Sequence, residues 1–370
     1  MKTTRTYLFV GNCNRPTPYF CSSNGRGIAT FAFDEATGRT EFLRAMEDID
    51  NPTFVIVDAE RRRLYATSEM MAWREGVVSS YDIAPTTGEL SLINRQRTLG
   101  NCVAQISLDR TKRFLFTANY GLNAATEQPN QSVVVMPIRD DGGLDPAFAS
   151  ALHTGTTGPQ TDRQERSHTH AVVASPDNRF LVASDLGLDQ LVVYRFEERN
   201  GSIDRIHEVA LPPGSGPRHF VFHPSGKVIY AVNELNSTVA SLSFDVVSGL
   251  AAVLDVAPSE PTADSIDNRC SEIQTSSDAR LLLIGNRGND SLSVFRLGVG
   301  GALSFVTAFA SGGKTPRHFS FDPSGRFLAV ANQDSDLISM FEFKPESEEF
   351  LPTGFDISTG TPTNICFCRL

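Results

Sequence analysis

GPRHFVFHPSGKVIYAVNELNSTVASLSFDVVSGLAAVLDVAP (Gly216–Pro258) divides into four short strands with turns between them. PRHFVFHP (Pro217–Pro224) reads as the first strand, and Ser225–Lys227 as the turn after it. VIYAVNE (Val228–Glu234) is the second strand and runs into the polar LNS. TVASLSFD (Thr238–Asp245) alternates as a third, VVSGL turns the chain, and AAVLDVAP (Ala251–Pro258) is the fourth. Short runs bounded by Gly, Pro, Asn and Asp are the pattern of an antiparallel meander. The second strand of this unit has seven copies: TYLFVGN (Thr6–Asn12), RLYATSE (Arg63–Glu69), RFLFTAN (Arg113–Asn119), RFLVASD (Arg179–Asp185), KVIYAVN (Lys227–Asn233), RLLLIGN (Arg280–Asn286) and RFLAVAN (Arg326–Asn332). They recur roughly every 46 to 66 residues, a period that, filled only with short strands, predicts β-propeller blades.

The first strands number seven as well. They begin at NPTF (Asn51), NCVAQI (Asn101), SHTHAV (Ser167), GPRHFV (Gly216), NRCSEI (Asn268), TPRHFS (Thr315) and TPTNIC (Thr361). The N-terminus opens on a second strand, whereas the C-terminus ends on a lone first strand. Pairing TPTNICFCRL (Thr361–Leu370) with TYLFVGN completes one blade from both chain ends and removes open sheet edges. The prediction is an all-β, seven-bladed propeller of four-stranded antiparallel blades, one domain spanning residues 1–370.

Composition narrows the function. A chain of 370 residues with 40% apolar content suits a repeat array with a sizeable core. The net charge of −10 argues against nucleic acid or an anionic membrane as partner, while leaving room for a local basic pocket. There is no 18-residue apolar run, and the apolar stretch near the N-terminus is only TYLFV, too short for a signal-peptide core. Six cysteines (Cys13, Cys21, Cys102, Cys270, Cys366, Cys368) form no CxxC pair, so reduced thiols and a cytoplasmic location are expected.

In an antiparallel pair the start of one strand lies beside the end of the next. First-strand starts and second-strand ends therefore share one mouth of the central channel. That rule collects His168, His170, Asp185, Arg218, His219, Glu234, Arg269, Glu272, Arg287, Arg317 and His318 on one rim, with Asn12, Glu69, Asn119, Asn233, Asn286, Asn332, Gln333 and Asn364. HTH, PRH, RCSE and PRH occupy contiguous blades, whereas PTF, CVAQ and PTN on the opposite arc are neutral. A cationic crescent facing a neutral wall suits a small anionic substrate held by guanidinium forks. The basic residue that opens most second strands recurs from blade to blade and is architectural. His170, Arg218, Glu234, Arg269 and Arg287 break the repeat and are the functional candidates, while Arg317–His318 copies Arg218–His219. His223 reads as a turn residue, and His153 and His207 as solvated. His168 and His170 have metal-ligand spacing on a strand, but arginine neighbours repel a cation, so neither a metal nor another cofactor is expected.

HPSGKVIYAVNELNSTV, SPDNRFLVASDLG, NRGNDSLSVFRL and DPSGRFLAVANQDSD, with GPRH, resemble the β-propeller lactonases over nearly the whole chain. That family includes the cytosolic propeller type of 6-phosphogluconolactonase and the carboxy-muconate lactonizing enzyme. The resemblance implies that His170, Arg218, Glu234 and Arg287 line a catalytic site. His168, His219, Arg269, Glu272, Arg317 and His318 are the candidates for binding substrate. The expected activity is hydrolysis of a sugar or sugar-acid lactone: a neutral His or a carboxylate takes a proton from water, and guanidinium groups stabilise the oxyanion. Cyclisation of a carboxymuconate uses the same groups and is the alternative. A non-catalytic scaffold needs apolar anchors on one face, and the sole Trp, Trp73, sits in the loop MMAWREG (Met70–Gly76). That loop, Cys13–Gly27 and Thr154–Ser167 are long enough to lid the channel mouth or to form a dimer contact, so the chain is read as a monomer or homodimer.

Overall fold

A computed structural model describes residues 5–18, 20–122, 127–261 and 267–370; Met1–Thr4, part of the N-terminal stretch read above, lie outside them. Seven antiparallel sheets form the ring. Blade 1 joins the chain ends in the order Pro362–Arg369, Thr6–Asn12, Ile28–Phe33, Thr40–Met46. Blades 2 to 7 follow in sequence, with inner strands Val55–Asp58, Val103–Leu108, Thr169–Ala174, Pro217–Phe222, Arg269–Thr275 and Pro316–Phe321. The expected closure forms, with Tyr7 opposite Cys368 and Phe9 opposite Cys366. Beyond the strand, Arg5 and Leu370 exchange backbone hydrogen bonds of 2.9 Å. The four strands of blade 5 run Pro217–Phe222, Val228–Asn233, Thr238–Phe244 and Ala251–Pro258. Blade 7 adds a two-residue strand, Ile357–Ser358, on Leu337–Lys344.

The second strands are apolar on both faces because each is sandwiched between neighbouring blades. In Val228–Asn233, Ile229 and Ala231 enter the cluster shared with blade 4. Tyr230 and Val232 enter the one shared with blade 6. The described residues form seven such clusters, each spanning two adjacent blades. Leu8 and Val10 pack toward Phe327 of blade 7, and Tyr7 and Phe9 toward Leu64 of blade 2. The core is thus a ring of inter-blade seams. Each buried Leu, Val, Ile or Phe in it contributes about 1.5–3 kcal/mol.

Six of the seven inner strands slip register at the channel mouth. The residues left out of pairing are Ala104, His170, Arg218 with His219, Ser271 with Glu272, Arg317, and Thr363. A bulge of this kind frees a residue from the ladder and re-aims its side chain. Several of these strands start after a residue with positive φ, including Gly216 at 59°, Thr315 at 59° and Thr361 at 40°. For a β-branched threonine this backbone is strained, which marks the mouth as the place where regular pairing yields to function.

Candidate active site

The bulges and the ends of the second strands converge on a cavity of about 170 Å³ at one mouth of the channel. Ala104, His170, Arg218 and Arg317 reach it from bulges, and Arg269 from the start of its strand. Glu69, Tyr120, Glu234 and Arg287 reach it from the position that ends or follows a second strand. Cys102 lines it too, and Arg163 comes down from the 154–167 loop. Five guanidinium groups face two carboxylates, which leaves three positive charges in a chain that is acidic overall.

Glu234 is the hub of this charge. Its Oε2 lies 2.8 Å from Arg287 and 3.2 Å from Arg218, and its Oε1 accepts a hydrogen bond of 2.7 Å from Arg163. Burial pushes its carboxyl up, but Arg287, Arg163 and Arg218 outweigh that and hold it well below the usual range. The Arg218 contact is an ion pair without hydrogen-bond geometry, since Arg218 Nε has no acceptor. Arg218 spends another nitrogen on Ser271 O, at 2.5 Å. Burial, with the charges of Arg287 and Arg317, pulls the Arg218 guanidinium down to about 9, so it is still a cation at neutral pH. Arg287 also donates to Cys270 O, at 2.9 Å. Arg317 lies over the ring of Phe20, 4.9 Å from its centroid, so the loop Cys13–Gly27 does reach the mouth.

His170 is buried on this cationic wall, and its Nδ1 has no hydrogen-bond partner. Burial first, then Arg218 and His219, lower its pKa well below 6.5, so the ring is neutral at pH 7. It meets Tyr120 edge-on at 5.8 Å and His219 at 5.1 Å.

Six of the ten site candidates therefore line the cavity: His170, Arg218, Glu234, Arg269, Arg287 and Arg317. The other four do not. His168 stacks on Tyr120 at 4.2 Å, and its ring nitrogens meet Tyr120 O at 2.8 Å and Glu165 at 3.0 Å. His219, Glu272 and His318 form a cluster beside Phe54 and behind the cavity wall. The bulge between Thr169 and Ala171 gives His168 and His170 different surroundings, with Tyr120 packed against both rings. The neutral arc carries Glu69, which accepts a 2.5 Å hydrogen bond from Thr53 Oγ1. His153 is not solvated: it is buried, with Nδ1 2.7 Å from Asp185 and Nε2 2.6 Å from Tyr194 Oη. His207 is half-buried on an outer strand and meets Ala251 O at 2.9 Å, and His223 forms its turn with Ser225.

Arg163, Tyr120, Cys102 and Ala104 are the lining residues that motif reading missed. Tyr120 had a signal, because it directly follows Asn119 as Glu234 follows Asn233. Arg163 had only the length of its loop. The next residue, Gln164, is fully buried and donates to Leu186 O and to Asp189, both at 2.8 Å. Asp189 in turn accepts from the backbone N–H groups of Gly214 and Gly216, at 2.6 and 2.7 Å. Gly187 lets the loop come this close, since a Cβ there would sit 1.7 Å from Arg166 O.

Residues 7–367 match the family described as Lactonase, 7-bladed beta-propeller. The chain belongs to that family. Among its lactonase relatives, the 6-phosphogluconolactonase of Bacillus subtilis (strain 168) is 30% identical, over 94% of this chain and 96% of the relative. A 6-phosphogluconolactonase of Formosa agariphila is also 30% identical, over 90% and 91%. The solved structure of a periplasmic gluconolactonase from Pseudomonas aeruginosa superposes with a TM-score of 0.86 at 30% identity, covering 98% of this chain and 99% of that one.

Proposed function

We propose that this protein hydrolyses a sugar lactone bearing an anionic group, 6-phosphogluconolactone in the first instance, at the arginine-lined mouth. The observation that carries this reading is a buried imidazole, His170, in a cavity lined by five guanidinium groups and only two carboxylates. A lactone is an internal ester that needs an activated water and a stabilised oxyanion. His170 takes a proton from water as the hydroxide adds to the carbonyl carbon. Arg218 and Arg287 stabilise the oxyanion that forms. As the tetrahedral intermediate collapses, the ring C–O bond breaks. The leaving alkoxide takes the proton from His170, giving the open hydroxy acid. Arg163, Arg269 and Arg317 hold the substrate's phosphate or carboxylate.

Glu234 has a different part from the acid–base role that motif reading offered. A carboxylate whose two oxygens are already tied to three guanidinium groups is less free to take a proton from water than the His170 ring, which makes no ion pair. It fixes the arginines in place and keeps their mutual repulsion from opening the site. A cytoplasmic location, argued from six free thiols, belongs to the same proposal. The periplasmic relative makes cell fractionation its test.

The deciding experiment is pH-stat hydrolysis of gluconolactone, 6-phosphogluconolactone and a carboxymuconate lactone, with spontaneous opening subtracted. Acceleration of the sugar lactones, strongest with the phosphate, is expected. An enzyme rate indistinguishable from the blank on all three would remove the reading.

A further inference from the structure

Three buried side chains behind the cavity form a chain of contacts that the reaction above leaves unused and that ends at His170. His318 Nδ1 faces the backbone N–H of Ile365 at 3.3 Å, so its proton belongs on Nε2, which points at Glu272 Oε2 from 3.4 Å. His219 Nδ1 lies 2.9 Å from the same Glu272 oxygen. Burial raises the Glu272 carboxyl, but His219 and His318 outweigh it and hold it down to about 2, so Glu272 is a carboxylate that only accepts. At 2.9 Å it is closer to Nδ1 than the Arg218 guanidinium at 3.4 Å, so it fixes the His219 proton on Nδ1 and leaves Nε2 as a bare lone pair. That Nε2 is buried with no hydrogen-bond partner. So is Nδ1 of His170, whose ring centroid is 5.1 Å away.

These two unpartnered atoms are complementary. For His170 to take a proton from water on the nitrogen facing the cavity, its own proton must sit on Nδ1. A buried N–H without an acceptor is costly, and the adjoining unused acceptor is His219 Nε2. We propose that His219 and Glu272 are positioning residues: Glu272 sets the tautomer of His219, and His219 Nε2 accepts the Nδ1 proton of His170 once the two rings turn toward each other, a bond the two nitrogens do not make in the resting geometry, which leaves His170 Nε2 bare toward substrate. Neither residue lines the cavity, so neither touches substrate. When His170 gains the water's proton, the resulting cation has the Glu272 carboxylate behind it, one ring removed. The groups facing His170 are Tyr120, Arg218, His219, Glu234 and Arg317. Those facing His219 are Arg218, Glu272, Arg317, His318 and the His170 ring. Glu272 is therefore the carboxylate on the far side of the pair from Glu234.

This inference rests on His170 being the base, and the test separates the two. The wild-type protein, labelled with ¹⁵N-histidine, reports tautomers directly; with seven histidines the spectrum is assignable by single substitutions. An Nδ1–H tautomer of His170 is expected, and an Nε2–H tautomer would overturn the proposal. Glu272→Gln and His219→Gln should each lower kcat by about 10- to 1,000-fold with KM within twofold. Glu272→Gln should also move the acidic limb of kcat/KM to lower pH, because the His170 cation loses its distant carboxylate. Glu272→Asp should recover part of kcat. Loss of turnover in His170→Ala with full turnover in folded Glu272→Gln and His219→Gln sinks this inference alone. Full turnover in His170→Ala sinks the base assignment itself.

Discussion

Arg218 and His170 show what burial does to single residues at the channel mouth. Arg218 is 3% exposed and sits among other cations, a position that Glu234 and Ser271 O make tolerable. Arg317→Ala, which removes one of the guanidinium groups assigned to the anion, should weaken binding of inorganic phosphate by about 1.5–3 kcal/mol, the worth of one charge-assisted hydrogen bond, as read by calorimetry. Unchanged phosphate affinity would place the anion elsewhere. His170→Ala should cut turnover by about 10²–10⁴-fold with little change in melting temperature, because the ring lines the cavity and belongs to neither of the apolar seams that flank its blade. The histidine cluster also sets an acid limit. His318 falls from 6.5 to about 4, through burial first and then against the pull of Glu272. An unfolded chain therefore takes up that proton before the folded one does. Stability is full above pH 6.5 and declines as pH falls toward 4, by about 3 kcal/mol for a shift of this size. Glu272 works in the same direction over a lower window: its folded pKa is depressed from 4.5 to about 2, so its contribution is present above 4.5 and lost as pH falls toward 2. Melting temperatures between pH 7.5 and 4 should fall steadily in the wild type and less steeply in His318→Gln. Parallel curves for the two proteins would show that His318 is not the group being titrated.

Among the elements, the loop 154–167 adds to the site what the blades do not. Arg163 is held at Glu234, and the chain beside it is anchored through Gln164 to Asp189, which also fixes the turn leading into Pro217. Gln164→Ala removes the anchor without touching the cavity. It should raise KM for an anionic lactone several-fold while kcat stays near wild type, and Arg163→Ala should do the same. Equal effects on a phosphorylated and an unphosphorylated lactone would argue that the loop shapes the pocket without holding the anion. This loop also shows where the sequence ran out. Strand ends and starts follow a repeat, so Glu234, Arg287, Arg218 and His170 stand out as departures from it. Arg163 belongs to no repeat, and nothing in TGTTGPQTDRQERS says which of its charged residues turns inward. The bulges were equally silent. Strict alternation puts His168 and His170 on one face, but the slip between Thr169 and Ala171 sends His170 to the cavity and leaves His168 stacked on Tyr120 outside its lining. His153 looked like a loop histidine because its partners, Asp185 and Tyr194, are 32 and 41 residues away in sequence.

At the scale of the whole molecule, the propeller was readable because one second-strand pattern recurs seven times, at a spacing filled only with short strands. The closure was readable for a related reason: an unpaired second strand at one end and an unpaired first strand at the other leave no other economical arrangement. The site depends on that closure more than its distance from the chain ends suggests. Pro362–Arg369 is the inner strand of blade 1, Ile365 N–H supports His318, and Asn364 accepts from Val55 N–H of blade 2 at 3.1 Å. Deleting Thr361–Leu370 exposes the Thr6–Asn12 edge, takes Ile365 and Cys368 from the two seams flanking blade 1, and frees one end of the histidine cluster. The truncated protein should aggregate or unfold without a single cooperative transition, because the ring opens at the one blade that no continuous hairpin holds together. Adding the peptide Thr361–Leu370 in trans should recover part of the cooperative melt. A truncated protein that stays monomeric and melts at the wild-type temperature would mean that the remaining strands of blade 1 and the six intact blades hold the ring without the C-terminal strand.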